Sequence, residues 1–163
     1  MRQQTTFASP LGPLTLIGDA QALWGVWFEG QAYYGGSWDL ATVPEGDNAS
    51  LQAAKTWLTA YFAGEEAPKP ALHFSGTPYR QAVQRALCTI PRGTTVTYTE
   101  LAQIVAEQLG HKTSPRAIGG AVGHNPLSIV VPCHRVVGVN GQLTGYAGGV
   151  DRKRALLALE RAL

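Results

Sequence analysis

The chain has 163 residues, 45% of them hydrophobic, 9% aromatic and 15% charged, with a formal net charge of +2. That balance suits one compact domain or two small ones; no run approaches the roughly 18 apolar residues of a membrane span, and Met1-Arg2-Gln3-Gln4-Thr5-Thr6 lacks a signal-peptide core. Two cysteines, Cys88 and Cys133, are too few to staple a secreted scaffold, which points to a reducing cytoplasm.

Charge is uneven along the chain. Up to Ser75 three basic residues stand against seven acidic ones, and beyond it ten stand against four. A basic second part suits an anionic partner such as nucleic acid, although an unevenly decorated solvated surface gives the same pattern.

Thr5–Ala8, Leu14–Ile17 and Leu23–Phe28 are short runs rich in β-formers, separated by the turn residues Ser9-Pro10-Leu11-Gly12 and Gly18-Asp19. A helix is predicted over Leu51–Phe62, where Leu51, Ala54, Leu58, Tyr61 and Phe62 form an apolar stripe, and Gly64–Pro70 reads as a connector. Thr77-Pro78 starts the next helix, with Tyr79, Val83 and Leu87 on one face, and Ile90-Pro91-Arg92-Gly93 ends it. Thr97-x-x-Glu100 is a capping-box pattern ahead of Leu101, Ile104, Val105 and Leu109, with Gly110 as the stop. After a short basic loop, Ser114-Pro115 opens a helix that runs to about Gly123. Two short helices around a tight connector form a helix-turn-helix pattern, which ordinary packed helices also produce.

The second of these helices holds three glycines, Gly119, Gly120 and Gly123, each costing up to about 1 kcal/mol of helix propensity. Small residues admit another backbone at close range, either a crossing helix or a DNA strand. Further on, Val139-Asn140-Gly141-Gln142-Leu143 predicts a hairpin. Thr144-Gly145-Tyr146-Ala147-Gly148-Gly149 is either a plain turn or a tight loop offering the Tyr146 ring to a ligand.

Cys133 lies within Ile129-Val130-Val131-Pro132-Cys133-His134-Arg135-Val136-Val137. A cysteine among valines is commonly a small core residue, but Pro132 interrupts strand pairing and His134 and Arg135 follow directly, so a turn at a polar site is expected. A cysteine nucleophile needs a base or a positive field, and His134 is adjacent. Zinc is not expected, because His73, His111, His124, His134 and the two cysteines show no paired ligand spacing. In the last helix Leu156, Leu157 and Leu163 flank Glu160, placing it on the apolar face, where an unpaired charge is costly. Its partner is either an arginine, in a structural salt bridge, or His134, in a Cys–water–His–Glu relay.

Pro132-Cys133-His134-Arg135-Val136-Val137 resembles the active-site signature of the O6-alkylguanine-DNA alkyltransferases, the methylated-DNA–protein-cysteine methyltransferases. Arg116-Ala117-Ile118-Gly119-Gly120-Ala121-Val122-Gly123 resembles their recognition helix, and Asn125-Pro126 the hinge before the active-site strand. Gly145-Tyr146-Ala147-Gly148-Gly149 resembles the loop over the base, and Ser9-Pro10-Leu11-Gly12 an amino-terminal strand turn. The resemblance spans nearly the whole chain and is densest from Thr77 onward. It implies that Cys133 accepts the alkyl group, that His134 takes the thiol proton through water, and that Glu160 holds the imidazole. It further implies that Tyr98 protonates the departing base and that Arg116 fills the gap left by a flipped nucleotide. By the same resemblance Asn125 would tie the recognition helix to the active-site turn, Gly119, Gly120, Ala121 and Tyr146 would face DNA or base, and Pro132 and Arg135 would be structural. Two features depart from the family. The loop Glu107–Thr113 is longer than in its shorter members, and no cysteine precedes Cys88, so the amino-terminal zinc site of some members is not expected.

The fold expected is α/β (α+β): residues 1–75 as a small RNase H-like mixed α/β domain, and residues 76–163 as an α-helical, winged helix-turn-helix-like domain carrying Cys133. The expected partner of this cytoplasmic monomer is double-stranded DNA containing alkylated guanine, entered from the minor groove with the base flipped; O4-alkylthymine is left open as a second substrate. No cofactor, metal or membrane is expected. A lesion-binding relative without transfer would lack the acceptor cysteine, and a sequence-reading transcription factor would need more side chains on its recognition helix.

Overall fold

A computed structural model describes residues 1–161; Leu163, expected on the apolar face of the last helix, lies outside the described residues. The chain divides into two units, Met1–His73 with Pro126–Val130, and Phe74–Asn125 with the described residues from Val131 on.

In the first unit, β1 (Gln3–Ser9), β2 (Gly12–Gly18) and β3 (Leu23–Phe28) form an antiparallel sheet in that order. Ser9 pairs with Gly12, and Gly12 takes φ +117° in this tight turn, a value that glycine adopts without strain. Helix α1 (Ala49–Ala63) packs against all three strands. Leu51, Ala54, Leu58 and Tyr61 are buried, while Phe62 at the stripe's end is half-buried. Asn48 fixes the helix start, accepting from the Leu51 N–H (3.1 Å) and donating to the Gly18 carbonyl (2.9 Å); such a cap contributes about 1 kcal/mol. The outer edge of β3 is covered by two parallel bridges, Leu23 to Leu72 and Val26 to Leu127, which leaves less free edge for pairing with another chain. The second bridge comes from the excursion Pro126–Val130. There the buried, β-branched Ile129 takes φ +69°, a conformation costing on the order of 1–3 kcal/mol.

The second unit is mainly helical. α2 (Pro78–Leu87) is capped by Thr77, and α3 (Tyr98–Leu109) by the reciprocal Thr97–Glu100 box, ending at Gly110 with φ +74°. α4 (Pro115–Gly123) is capped by Ser114. These three helices pack on one another around Val83, Leu87, Leu101, Val105, Ile118 and Val122, all buried. A minimal parallel pair, β4 (Val96–Thr97) with β5 (Val136–Val137), precedes α5 (Val150–Leu159). No helix among the described residues is long and apolar enough to cross a membrane.

Four expectations change. The long loop at 107–113 is partly helix: the period of Leu101, Val105 and Leu109 carries α3 through Leu109, leaving a connector of residues 110–113. The family's active-site strand is not a strand here, since residues 128–130 form turns and Cys133–Arg135 a 3-10 turn. The hairpin at Asn140-Gly141 keeps its turn, with φ +60° and +76°, but no antiparallel ladder follows. The Lys153 ammonium instead takes the carbonyls of Val136 and Thr144, one from each arm. Finally, α5 ends at Leu159, and Glu160 is its C-cap rather than a residue within the helix.

Candidate active site

Pro132 has no N–H to give a ladder, and after it the chain tightens into the 3-10 turn Cys133–Arg135 before β5. The turn puts Cys133, His134 and Arg135 in succession into the interior, where Glu160 meets them. Cys133 is 4% exposed, His134 fully buried, and Glu160, arriving from the end of α5, 5% exposed.

Glu160 is the hub. One oxygen accepts from His134 Nε2 at 2.6 Å and from Arg135 Nη2 at 3.1 Å, and the other accepts from Arg135 Nε at 2.8 Å. Arg135 also donates to the Ile90 carbonyl at 2.7 Å. The two partners weighed for Glu160 are thus both present. A carboxylate at a helix C-terminus meets the negative end of the helix dipole, and the guanidinium offsets that as well as the burial. With Nε2–H committed to Glu160, the imidazole carries its lone pair on Nδ1. That buried atom has no hydrogen-bond partner among the described residues, as a base awaiting a proton requires. Burial holds the His134 pKa below its ordinary value, against the opposing hydrogen bond and charge of Glu160, so the ring is neutral near pH 7.

Burial also pushes the Cys133 thiol up, while hydrogen bonding with the Asn125 side chain and the charge of Lys153 pull the other way. The resting sulfur is therefore a thiol, and its nucleophile must be made by proton removal. Asn125, itself buried, donates through Nδ2 to the Val131 carbonyl at 3.0 Å; it joins the end of α4 to the segment entering the turn. Tyr98, the first residue of α3, is half-buried. Burial raises its pKa, with hydrogen bonding to Thr144 opposing, which keeps the hydroxyl protonated. Tyr146 is half-buried in the loop that follows.

Lys153 escaped the sequence reading. Its side chain is fully buried, and its ammonium donates to the Val136 carbonyl at 2.5 Å and the Thr144 carbonyl at 2.9 Å. Burial lowers its pKa to about 8, with Cys133 opposing. Asp151-Arg152-Lys153-Arg154 reads as a solvated charge run. The available signal was spacing, since Lys153 stands three residues before Leu156, on the same face.

Arg116 stands apart, exposed in the first turn of α4. The three glycines of this helix have open space where a side chain would begin: a Cβ at Gly119, Gly120 or Gly123 would meet no atom within 4 Å. A crossing helix therefore does not explain them, and the room lies toward solvent. Ala121, expected on that open side, is instead buried beside Val122.

Two family profiles match the chain: "6-O-methylguanine DNA methyltransferase, ribonuclease-like domain" over residues 3–69, and "6-O-methylguanine DNA methyltransferase, DNA binding domain" over residues 78–162. The chain belongs to the 6-O-methylguanine DNA methyltransferase family. It is 44% identical over 158 residues to the methylated-DNA–protein-cysteine methyltransferase of Mycobacterium tuberculosis, covering 96% of this chain and 91% of that one. With the protein of the same name from Methanosarcina acetivorans it shares 41% over 159 residues, covering 94% and 95%. A crystal structure of the M. tuberculosis protein in complex with DNA superposes with a TM-score of 0.82 at 43% identity, covering 98% of this chain and 93% of that chain. Like the 6-O-methylguanine DNA methyltransferases it resembles, this chain pairs a ribonuclease-like part with a DNA-binding part. Among its described residues no group of three or more His, Cys, Asp or Glu side chains is placed to hold a metal ion.

Proposed function

We propose that this methyltransferase repairs DNA directly, moving the alkyl group of O6-alkylguanine to the sulfur of Cys133 in one irreversible turnover. The observation that carries the reading is the His134 Nε2–Glu160 hydrogen bond at 2.6 Å, which leaves Nδ1 as the base in the residue next to the cysteine. The thiol proton passes to Nδ1 through a water, and the sulfur attacks the saturated alkyl carbon from behind. The S–C bond forms as the C–O6 bond breaks, and the Tyr98 hydroxyl delivers a proton to the departing guanine, improving the leaving group. No acyl oxyanion arises, so the displacement needs no oxyanion hole, and side chains supply every acid and base it uses. The thioether product is not hydrolysed, which limits each molecule to one event.

A target atom inside a duplex is reached by flipping the nucleotide, at a cost of a few kcal/mol. The open glycine face of α4 fits a narrow minor groove, with Arg116 entering the gap and Tyr146 beside the extruded base. Residues 1–75 and 76–163 serve as the two modules of a cytoplasmic monomer, except that Pro126–Val130 belong with the first; the second carries both chemistry and DNA contact. Intact-mass measurement after incubation with O6-methylguanine duplex should find one added methyl, mapped to the peptide containing Cys133. Unmodified mass with lesion binding retained would indicate a lesion-binding protein, and label on Cys88 would reassign the acceptor.

A further inference from the structure

We infer that Tyr79 is a positioning residue for DNA recognition: its hydroxyl, bonded to Thr113, sets how the first turn of α4 is presented. The inference rests on the reading of α4 as the DNA-facing helix. The packing that holds α4 starts late. Ser114, Pro115, Arg116 and Ala117 are all exposed, and Ile118 is the first buried residue. Arg116 therefore sits on a turn with no buried side chain of its own.

The connector ahead of that turn is equally loose in packing terms. Gly110 adopts φ +74°, and His111 and Lys112 are exposed. Thr113 is the exception, half-buried, with its Oγ1 2.5 Å from the Tyr79 hydroxyl, a contact spanning 34 positions in sequence. Tyr79 is itself well fixed. It lies in the first turn of α2, behind the Thr77 cap and with Pro78 beginning the helix. A rigid helix start is thus linked, through one pair of hydroxyls, to the residue immediately before the Ser114 cap and three before Arg116. The ring of Tyr79 fills space that phenylalanine would fill equally; the hydroxyl adds only the tether. This gives the connector after the extended α3 a specific function, namely to convert a distant anchor into a fixed approach for α4.

The test is Tyr79→Phe, which keeps the ring, measured by single-turnover repair of an O6-methylguanine duplex against reaction with free O6-benzylguanine. A net hydrogen bond corresponds to about a fivefold effect. The ratio of duplex to free-base rate constants should fall about fivefold through weaker DNA binding, with the rate at saturating DNA retained. Thr113→Val should do the same, the double variant should lose no more than either single one, and Thr113→Ser should restore the ratio. An unchanged ratio, an equal loss on both substrates, or additive losses would overturn the proposal. Arg116→Ala reports separately on the underlying reading. If it repairs duplex normally, α4 does not face the DNA and the tether has no such role; if it is impaired while Tyr79→Phe is not, only the tether fails.

Discussion

Around Cys133 the side chains are buried and bonded to one another, whereas along one face of α4 three glycines leave open space where a side chain would begin and Arg116 is exposed. The difference follows from what each region has to do. Proton transfer needs groups held in one geometry, so His134, Glu160 and Arg135 restrain one another before any substrate arrives. In the proposed reading the face of α4 binds a groove, which needs clearance, and its complement is the nucleic acid. Stability and function are consequently coupled in the first region and separable in the second, and variants that act on one and spare the other probe that division.

The largest effect is expected from Glu160→Gln. It removes the negative charge that His134 and Arg135 share, leaves one amide oxygen to accept where two carboxylate oxygens did, and leaves the Arg135 guanidinium unbalanced, so transfer should slow by about 10²-fold or more and stability fall by about 3 kcal/mol. Single-turnover kinetics with urea denaturation would measure both, and loss of rate without loss of stability would break the coupling. Tyr98→Phe should slow transfer at saturating DNA by about 10²-fold while lesion affinity is kept; a rate equal to that of the starting protein removes Tyr98 from the chemistry.

Gly120→Leu tests the other region. It has free space at Cβ, and the new side chain improves helix propensity by up to about 1 kcal/mol. Thermal stability should hold or rise while duplex affinity falls on the order of tenfold, a difference of ~1.4 kcal/mol. Unaltered duplex binding would mean that this face is not the contact. The smallest effect is in pH. The folded-state pKa of His134 is depressed below the ordinary value of 6.5. Between those two values the unfolded chain binds more protons, so its contribution to stability is present above about pH 6.5 and is lost as pH falls toward the folded-state pKa. The slope is at most about 1.4 kcal/mol per pH unit for one proton. Denaturation at pH 7.5 and 5.5, repeated with His134→Gln, should show a decrease that the variant lacks.

Much of this was legible in the residues because local rules and the fold agree. The Thr97–Glu100 box, the Thr77-Pro78 start and the Gly110 stop all appear where their chemistry demands. Cys133, His134 and Glu160 could be grouped because a carboxylate on an apolar helix face needs a partner. What was hidden depends on contacts made through space. Asn140-Gly141 is a sound local turn, but whether strands follow it is decided by the Lys153 ammonium seated between the arms. The left-handed Ile129 has no sequence mark at all, because β-branched residues avoid that region. Whether the glycines in α4 admit a crossing helix could not be read until the space beside them was seen.

The burial of Cys133 has a consequence for the life of the molecule before it meets DNA. A reagent consumed by a single event is wasted by any side reaction, and a cell supplies oxidants and small electrophiles continuously. With 4% of its surface accessible and its sulfur held as a thiol, Cys133 lacks both the exposure and the thiolate character on which adventitious oxidation depends. The half-buried Cys88 is the more open of the two to such chemistry. The interior therefore acts as a store, keeping an unused equivalent of nucleophile intact for the lesion.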